Sequence, residues 1–323
     1  MATGNPDFSD LITFTLEHRS KEIADAVTEH NAFLRMLKAK NGVRPAPGGT
    51  SIVEPIEFKE NENFGWYEGY ELLSILPQQV HTSSQWAWKS ASVAVTISGT
   101  ELAKNSGPDA QKDLLRAKIK NAENSMTNGL AEGVYAVGTE NSGKIIGGLR
   151  HIVSTTPTTG MVGGIDRSDS TNAWWRNAAT DLTTDYGDST KVQGQFHTMW
   201  LSLVRGMDHP HAILTDNVNY TAFNDSLLEI QRITQAKRGE SGFSELVFRG
   251  PGGEAMVVFD PVCPADRTFF VNTDTIKLRP HKDRNMLVSK KRESLNQDAQ
   301  VTHLFWMGNL VCNQAALNGV LFT

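Results

Sequence analysis

The pattern that most constrains this chain runs from Pro108 to Glu132. Leu115, Ile119, Ala122, Met126 and Leu130 recur at spacings of four, three, four and four. That period puts them on one face of a long helix. Lys112, Asp113, Arg116, Lys118, Lys120 and Glu123 cover the rest. Pro108 stands in the first turn, where a missing N–H costs nothing, and Gly133 marks the end. A helix this long and this one-sided needs a broad apolar partner. The chain that follows supplies β-like runs: Leu246–Phe248, Ala255–Phe259 and Thr268–Val271. Gln300 to Cys312 alternates, with Val301, His303, Phe305 and Met307 opposite Thr302, Leu304, Trp306 and Gly308. Further helical period appears at Val192, Phe196, Met199, Trp200 and Leu203, and from Asn217 to Ile233 after a strand at His211–Thr215. Helices and strands are mixed, so the expected class is α+β.

Upstream, residues 8–41 read as a helical arm through Ile23, Ala26, Val27, His30, Leu34 and Leu37, stopping at Asn41-Gly42. Val43–Thr50 is a Pro/Gly linker. An arm on such a linker has little core of its own and is expected to pack on something else. Residues 51–98 read as a two-stranded excursion. Ile52, Glu54, Ile56 and Phe58 share one side of the first strand; the second runs from Trp86 to Ser98. In the second, Trp86 and Trp88 face one way and Val93, Val95 and Ile97 the other. Between the strands lie Phe64, Trp66, Tyr67, Tyr70 and Leu72-Leu73. An isolated hairpin is marginal in water. These aromatics therefore need cover, either from the subunit's own core or from another chain.

Composition excludes several classes. The 323 residues are 39% hydrophobic and 21% charged, enough for a core and too apolar for a disordered chain. The net charge of -5 argues against a general nucleic-acid binder, which needs a basic face. Cys263 and Cys312 are too few for a disulfide framework or a four-cysteine zinc site. No signal peptide and no membrane-length apolar run are visible. A soluble, intracellular protein is expected.

Motifs with chemistry are weak. Gly138–Lys144 fits the spacing of a phosphate-cradling loop, but Ile145 stands where Ser or Thr must hold magnesium. The alternative is a polar turn. Gly187-Asp188-Ser189 lacks the glycine elbow of a serine nucleophile. His197, His209 and His211 lack further identifiable metal ligands. Cys263, between two prolines, is either a reactive thiol or a packed small residue. Lys290-Lys291-Arg292 is a short basic run. No catalytic, cofactor or metal constellation is expected.

Several strings carry more information in their order. They are Gly147-Gly-Leu-Arg-His-Ile-Val153, Gly164-Ile-Asp-Arg-Ser168 and Trp174-Trp-Arg-Asn177. His211-Ala-Ile-Leu-Thr-Asp-Asn217, Cys263-Pro-Ala-Asp-Arg267 and Phe270-Val-Asn-Thr273 follow. In this order, after an arm, an excursion and a long helix, the chain resembles the major capsid proteins of tailed bacteriophages, the HK97-like fold. The resemblance implies an N-terminal arm (1–48), an extended β-hairpin loop or E-loop (49–106) and a P-domain spine helix (107–144). An axial A-domain (145–278) and a P-domain return strand (279–323) complete it. It implies a structural protein, not an enzyme, whose hexamers and pentamers tile an icosahedral head around double-stranded DNA. Its partners would be other copies of itself, a separate scaffolding protein, a portal, and DNA by weak non-specific contact, with no membrane. Assembly is expected in the host bacterial cytoplasm and residence in the virion. Trp66, Tyr67, Tyr70, Trp86 and Trp88 are the candidate intersubunit contacts. Lys59 and Lys89 lie near the loop strands, but no asparagine or acid can be assigned to a crosslink with them. The alternatives are an encapsulin-like compartment shell and, in another class, a phosphate-binding enzyme using Gly138–Lys144.

Overall fold

The computed structural model describes residues 31–104, 108–230, 246–289, 292–293 and 298–323. The expected arm positions Ile23, Ala26, Val27 and His30, and the Lys290-Lys291 pair, lie outside the described residues.

In chain order the strands are β1 (Ile52–Glu57), β2 (His81–Trp86), β3 (Lys89–Ser98), β4 (Met161–Val162), β5 (Ile165–Asp166), β6 (Ala178–Asp181), β7 (Ala212–Thr215) and β8 (Leu246–Gly250). They continue with β9 (Gly253–Phe259), β10 (Arg267–Val271), β11 (Ile276–Pro280), β12 (Leu287–Val288), β13 (Arg292–Glu293), β14 (Ala299–Cys312) and β15 (Gly319–Phe322). The helices used below are α1 (Ala32–Ala39), α2 (Gly99–Lys104), α3 (Pro108–Val134), α4 (Leu149–Ile152), α5 (Val192–Leu203) and α6 (Asn217–Ile230).

Two sheets organise the molecule. In the first, β14 is central. It pairs with β3 along one side and with β11, β12 and β13. The alternation read from 301–308 is realised: Thr302, Leu304 and Trp306 are buried, while His303, Phe305 and Met307 are half-buried. The spine helix α3 runs against β3, with Ile119, Ala122, Met126 and Leu130 buried. The second sheet has six strands in the order β6-β15-β10-β7-β9-β8. Helices α5 and α6 cover it, packing Phe196, Trp200 and Phe223 against Phe248 of β8.

Four expectations are corrected. The end of the arm packs on its own chain: Phe33, Leu34 and Leu37 of α1 are buried in the main core. Asn31 caps that helix and donates to Asp260 Oδ2 at 3.1 Å. The linker is not loose. Arg44 N and Ala46 N donate to Leu278 O and Pro280 O, making 43–46 a parallel edge on β11. Pro45 and Pro47 alternate with those donors, an arrangement that suits an edge strand. The run Trp86–Ser98 is not one strand of the hairpin. The chain breaks at Ala87-Trp88, where Asn309 Nδ2 holds Ala87 O at 2.8 Å, and β3 passes to the β14 sheet. Finally, residues 319–322 do not extend the return strand; as β15 they lie inside the six-stranded sheet.

The apolar run 145–153 forms the short helix α4, not a strand. Its string and two others knot together. Arg167, fully buried, donates through Nη2 to Ile152 O at 2.5 Å. Arg176 donates to the carbonyls of Arg167, Ser168 and Asp169. Asn177 pairs with the backbone of Ser154, and Trp175 Nε1 donates to Val162 O. Gly163 closes the knot on the hairpin. At φ +60° it lies so near β2 that a Cβ would stand 2.9 Å from that of Ser84 and 3.0 Å from the Trp86 ring.

A candidate assembly surface on the hairpin loop

The hairpin formed by β1 and β2 has six residue pairs, from Ile52↔Trp86 to Glu57↔His81. Its inner side carries Ile52, Glu54 and Ile56, all buried as the alternation requires. Glu54 is the anchor. Its carboxylate accepts from Arg279 at 2.5 Å and faces Lys277 Nζ at 3.7 Å, both on β11. A carboxylate out of water is tolerable only with such partners. The Phe58 ring lies tilted against Trp174, centroids 5.2 Å apart. The base of the hairpin is therefore fixed to the body.

Beyond Phe58, no hydrogen bond or ion pair among the described residues ties 59–79 to the body. Residues 59–79 are held by local polar ties: Asn63 Nδ2 donates to Leu76 O at 2.8 Å, Ser74 Oγ donates to Asn63 Oδ1 at 2.6 Å, and Glu62 N donates to Gln78 Oε1 at 2.9 Å. Phe64, Trp66, Tyr67, Tyr70, Leu72, Leu73, Ile75 and Leu76 are all exposed, Trp66 to 93%. Phe64 and Trp66 meet edge-on at 5.9 Å. Eight large exposed apolar side chains within thirteen residues mark an interaction surface.

The five aromatic candidates divide. Trp66, Tyr67 and Tyr70 share the exposed loop. Trp86 does not join them: it is 3% exposed, its Nε1 donates to Ser84 Oγ, and its ring meets His151 edge-on. Trp88 is half-buried, donates to Gly49 O at 2.9 Å and lies against His281. Alternation identified Trp86 as one-sided but could not say that its own subunit covers that side.

The chemical candidates take structural positions. Gly138–Lys144 is a left-handed turn, with positive φ at Gly138, Asn141, Ser142 and Gly143. Two of its amides are used internally, Gly143 N on Thr139 O and Lys144 N on Asn141 O. Lys89 donates to Gly143 O, and the next helix is only the four-residue α4. Asp188 of Gly187-Asp188-Ser189 ties its own turn through Thr190. His209 and His211 lie 4.8 Å apart. Among the described residues no group of three His, Cys, Asp or Glu side chains could hold a metal ion. Burial pushes the Cys312 thiol up to about 12 and Cys263 well above its ordinary value, so both stay protonated. Among the described residues no helix is long and apolar enough to cross a membrane.

Sequence motifs missed one organising group. Asp260, buried at the end of β9, accepts from Tyr135 Oη at 2.7 Å, Asn31 Nδ2 at 3.1 Å and Val262 N at 3.0 Å. It joins the arm helix, the end of the spine and the six-stranded sheet. Its only signal was a lone aspartate after an apolar strand.

A firmly rooted hairpin whose loop exposes large apolar side chains suits a subunit that packs against copies of itself. The comparisons agree: the chain belongs to the SU10 major capsid protein family, whose model matches residues 91–322. Its fold is HK97-like. It is similar to the capsid asymmetric unit of cyanophage A-1(L), at 14% identity over 87% of this chain and 90% of that one, with a TM-score of 0.60. It is also similar to a structure from Mycobacterium phage Adephagia, at 10% identity over 87% and 88% with a TM-score of 0.52. The capsid of Myoviridae phage XM1 gives 11% identity over 88% and 90% with a TM-score of 0.51. No curated protein sequence matches the chain. The protein is a structural component of a phage capsid.

Proposed function

We propose that this chain tiles an icosahedral phage head as hexamers and pentamers around double-stranded DNA, each copy laying its hairpin loop on a neighbour. The observation that carries this is the loop from Phe64 to Leu76, whose large apolar side chains have no cover among the described residues. Repeated contacts between copies are what a closed shell supplies. Trp66, Tyr67 and Tyr70 are the anchors of that contact.

The subunit divides into arm (1–48), E-loop (49–106), spine (107–144), A-domain (145–278) and P-domain return (279–323). Two adjustments follow from the strand pairing: the hairpin gives way to the β14 sheet at Trp88, and 319–322 belong with the A-domain sheet. The net charge of -5 suits confinement of DNA by weak, non-specific contact. A separate scaffolding protein and a portal complete the partner set, and assembly takes place in the host cytoplasm. The chain carries out no chemical step.

The test is expression of the full chain followed by sedimentation and negative-stain imaging, with and without a co-expressed scaffolding protein. Capsomers or shells are expected. A compact monomer at every concentration and salt tested would overturn the reading. Particles loaded with a protein cargo and devoid of DNA in infected cells would favour the compartment-shell alternative.

A further inference from the structure

Sheet edges present unpaired N–H and C=O groups, and proteins guard them with proline, charge, short length or cover. Most edges here are guarded. The 43–46 edge on β11 carries Pro45 and Pro47, and β1 carries Pro55. On β2, the turn at Gly163 covers the outer side by accepting from Gln85 N. In the six-stranded sheet, β6 is four residues long and ends in Asp181, while β8 carries the exposed Arg249.

The outer edge of β3 is the exception. Ten residues long, it is paired along its whole length with β14 on one side. Its other side can be identified from two contacts. Thr96 O accepts from Lys118 Nζ at 2.9 Å, and Ser98 N donates to Glu101 Oε2 at 3.2 Å. Both groups point away from β14, and the two-residue period of a strand turns Ser90, Ser92 and Ala94 the same way. Lys118 and Glu101 guard the edge only from Thr96 onward. From Ser90 to Ala94 the outward backbone groups meet no partner among the described residues. The sequence there, Ser-Ala-Ser-Val-Ala, has no proline, glycine or charge, and Ser90, Ser92 and Ala94 are exposed.

We propose that the Ser90–Ala94 edge of β3 is a strand-addition site, completed in the shell by an extended segment of a second copy of this chain. Main-chain hydrogen bonds would supply the contact, and small outward side chains permit the close approach it needs. The uncharged edge does not suit phosphate or an acidic partner. The family builds shells from many copies, so a second copy is the partner at hand. This rests on the capsid reading above and adds a place and a mode of contact to it.

Two measurements test it. Hydrogen exchange on particles and on subunits released from them should show the outward amides of Ser90, Ser92 and Ala94 at least about tenfold slower in particles. Ser92→Pro removes one outward N–H and leaves the β14 ladder intact, whereas Ser92→Ala removes only the hydroxyl. Ser92→Pro should fold, by circular dichroism, yet give at least about tenfold fewer particles; Ser92→Ala should assemble as the parent does. Should the proline variant fail to fold, Ala94→Lys keeps the backbone donor and plants a charge beside the edge, with the same expected loss. Unchanged exchange, normal assembly of Ser92→Pro, or equal loss in Ser92→Ala would each overturn strand addition while leaving the capsid reading intact. A parent chain that forms no particles fails the capsid reading itself.

Discussion

Arg167 shows how single residues serve the fold here. Its guanidinium is fully enclosed, and burial lowers its pKa to about 10. It stays cationic at neutral pH and ties the string 164–168 to α4. The cysteines behave oppositely, because burial keeps them neutral. Native protein should therefore react with a thiol reagent at pH 8 far more slowly than unfolded protein. Following alkylation by mass spectrometry checks this; a fast-reacting native Cys263 would show that it is not packed as described. His151 offers a pH test. Burial, with help from Arg167 and Lys89, holds its pKa below the ordinary 6.5. The unfolded chain then binds the proton more readily, so stability is complete above about pH 6.5 and falls as pH drops below it. His151→Gln should flatten that slope in denaturant titrations between about pH 5 and 7, while losing its ring contact with Trp86.

Among the elements, the hairpin joins a buried anchor to an exposed tip. Glu54→Ala strips Arg279 and Lys277 of their shared carboxylate, and breaking a buried pair of this kind costs about 3 kcal/mol. The expected result is a lower melting temperature. Trp66→Ala acts at the other end. It should leave melting unchanged and weaken assembly, because burial of such a ring at a contact is worth roughly 2–3 kcal/mol for each copy. A mutant that melts early yet still forms normal particles would reverse the assignment. The same elements show what a sequence can disclose. The spine helix was legible because one apolar stripe at helical spacing stated its partner face. The β14 strand was legible from its two-residue alternation, which sorted buried from half-buried positions. The hairpin's second strand was misjudged because β3 pairs with residues 299–308, and no local pattern announces a partner that far along the chain. The linker was misjudged because its prolines looked like breakers, although they fall at the positions an edge strand leaves unpaired.

For the whole molecule, the expectation was a subunit in several parts, and the packing ties those parts together. One apolar core takes Leu34 and Leu37 from the arm, Ile56 and Trp86 from the hairpin, Ile119 and Met126 from the spine, and Phe269 and Val320 from the six-stranded sheet. The loop tip stands outside that core, which is why its aromatics were readable as candidates and Trp86 was not separable from them. The turn at Gly138–Lys144 fills no functional gap in this plan. Calorimetry with ATP should give no binding heat, and Lys144→Ala should assemble normally; micromolar affinity would contradict the turn's role as a connector. The six-stranded sheet has one further consequence, in the cell. Its strand β15 lies between β6 and β10, far from β6 in sequence. While a ribosome is still making the chain, β6 and β10 have no shared partner, so this sheet closes only after residues 319–322 have emerged. A polypeptide that stops before residue 319 lacks the strand that joins β6 to the other four. Chains that stop short of β15 are thus left with β6 and β10 unjoined, and synthesis through residues 319–322 becomes a condition for closing this sheet.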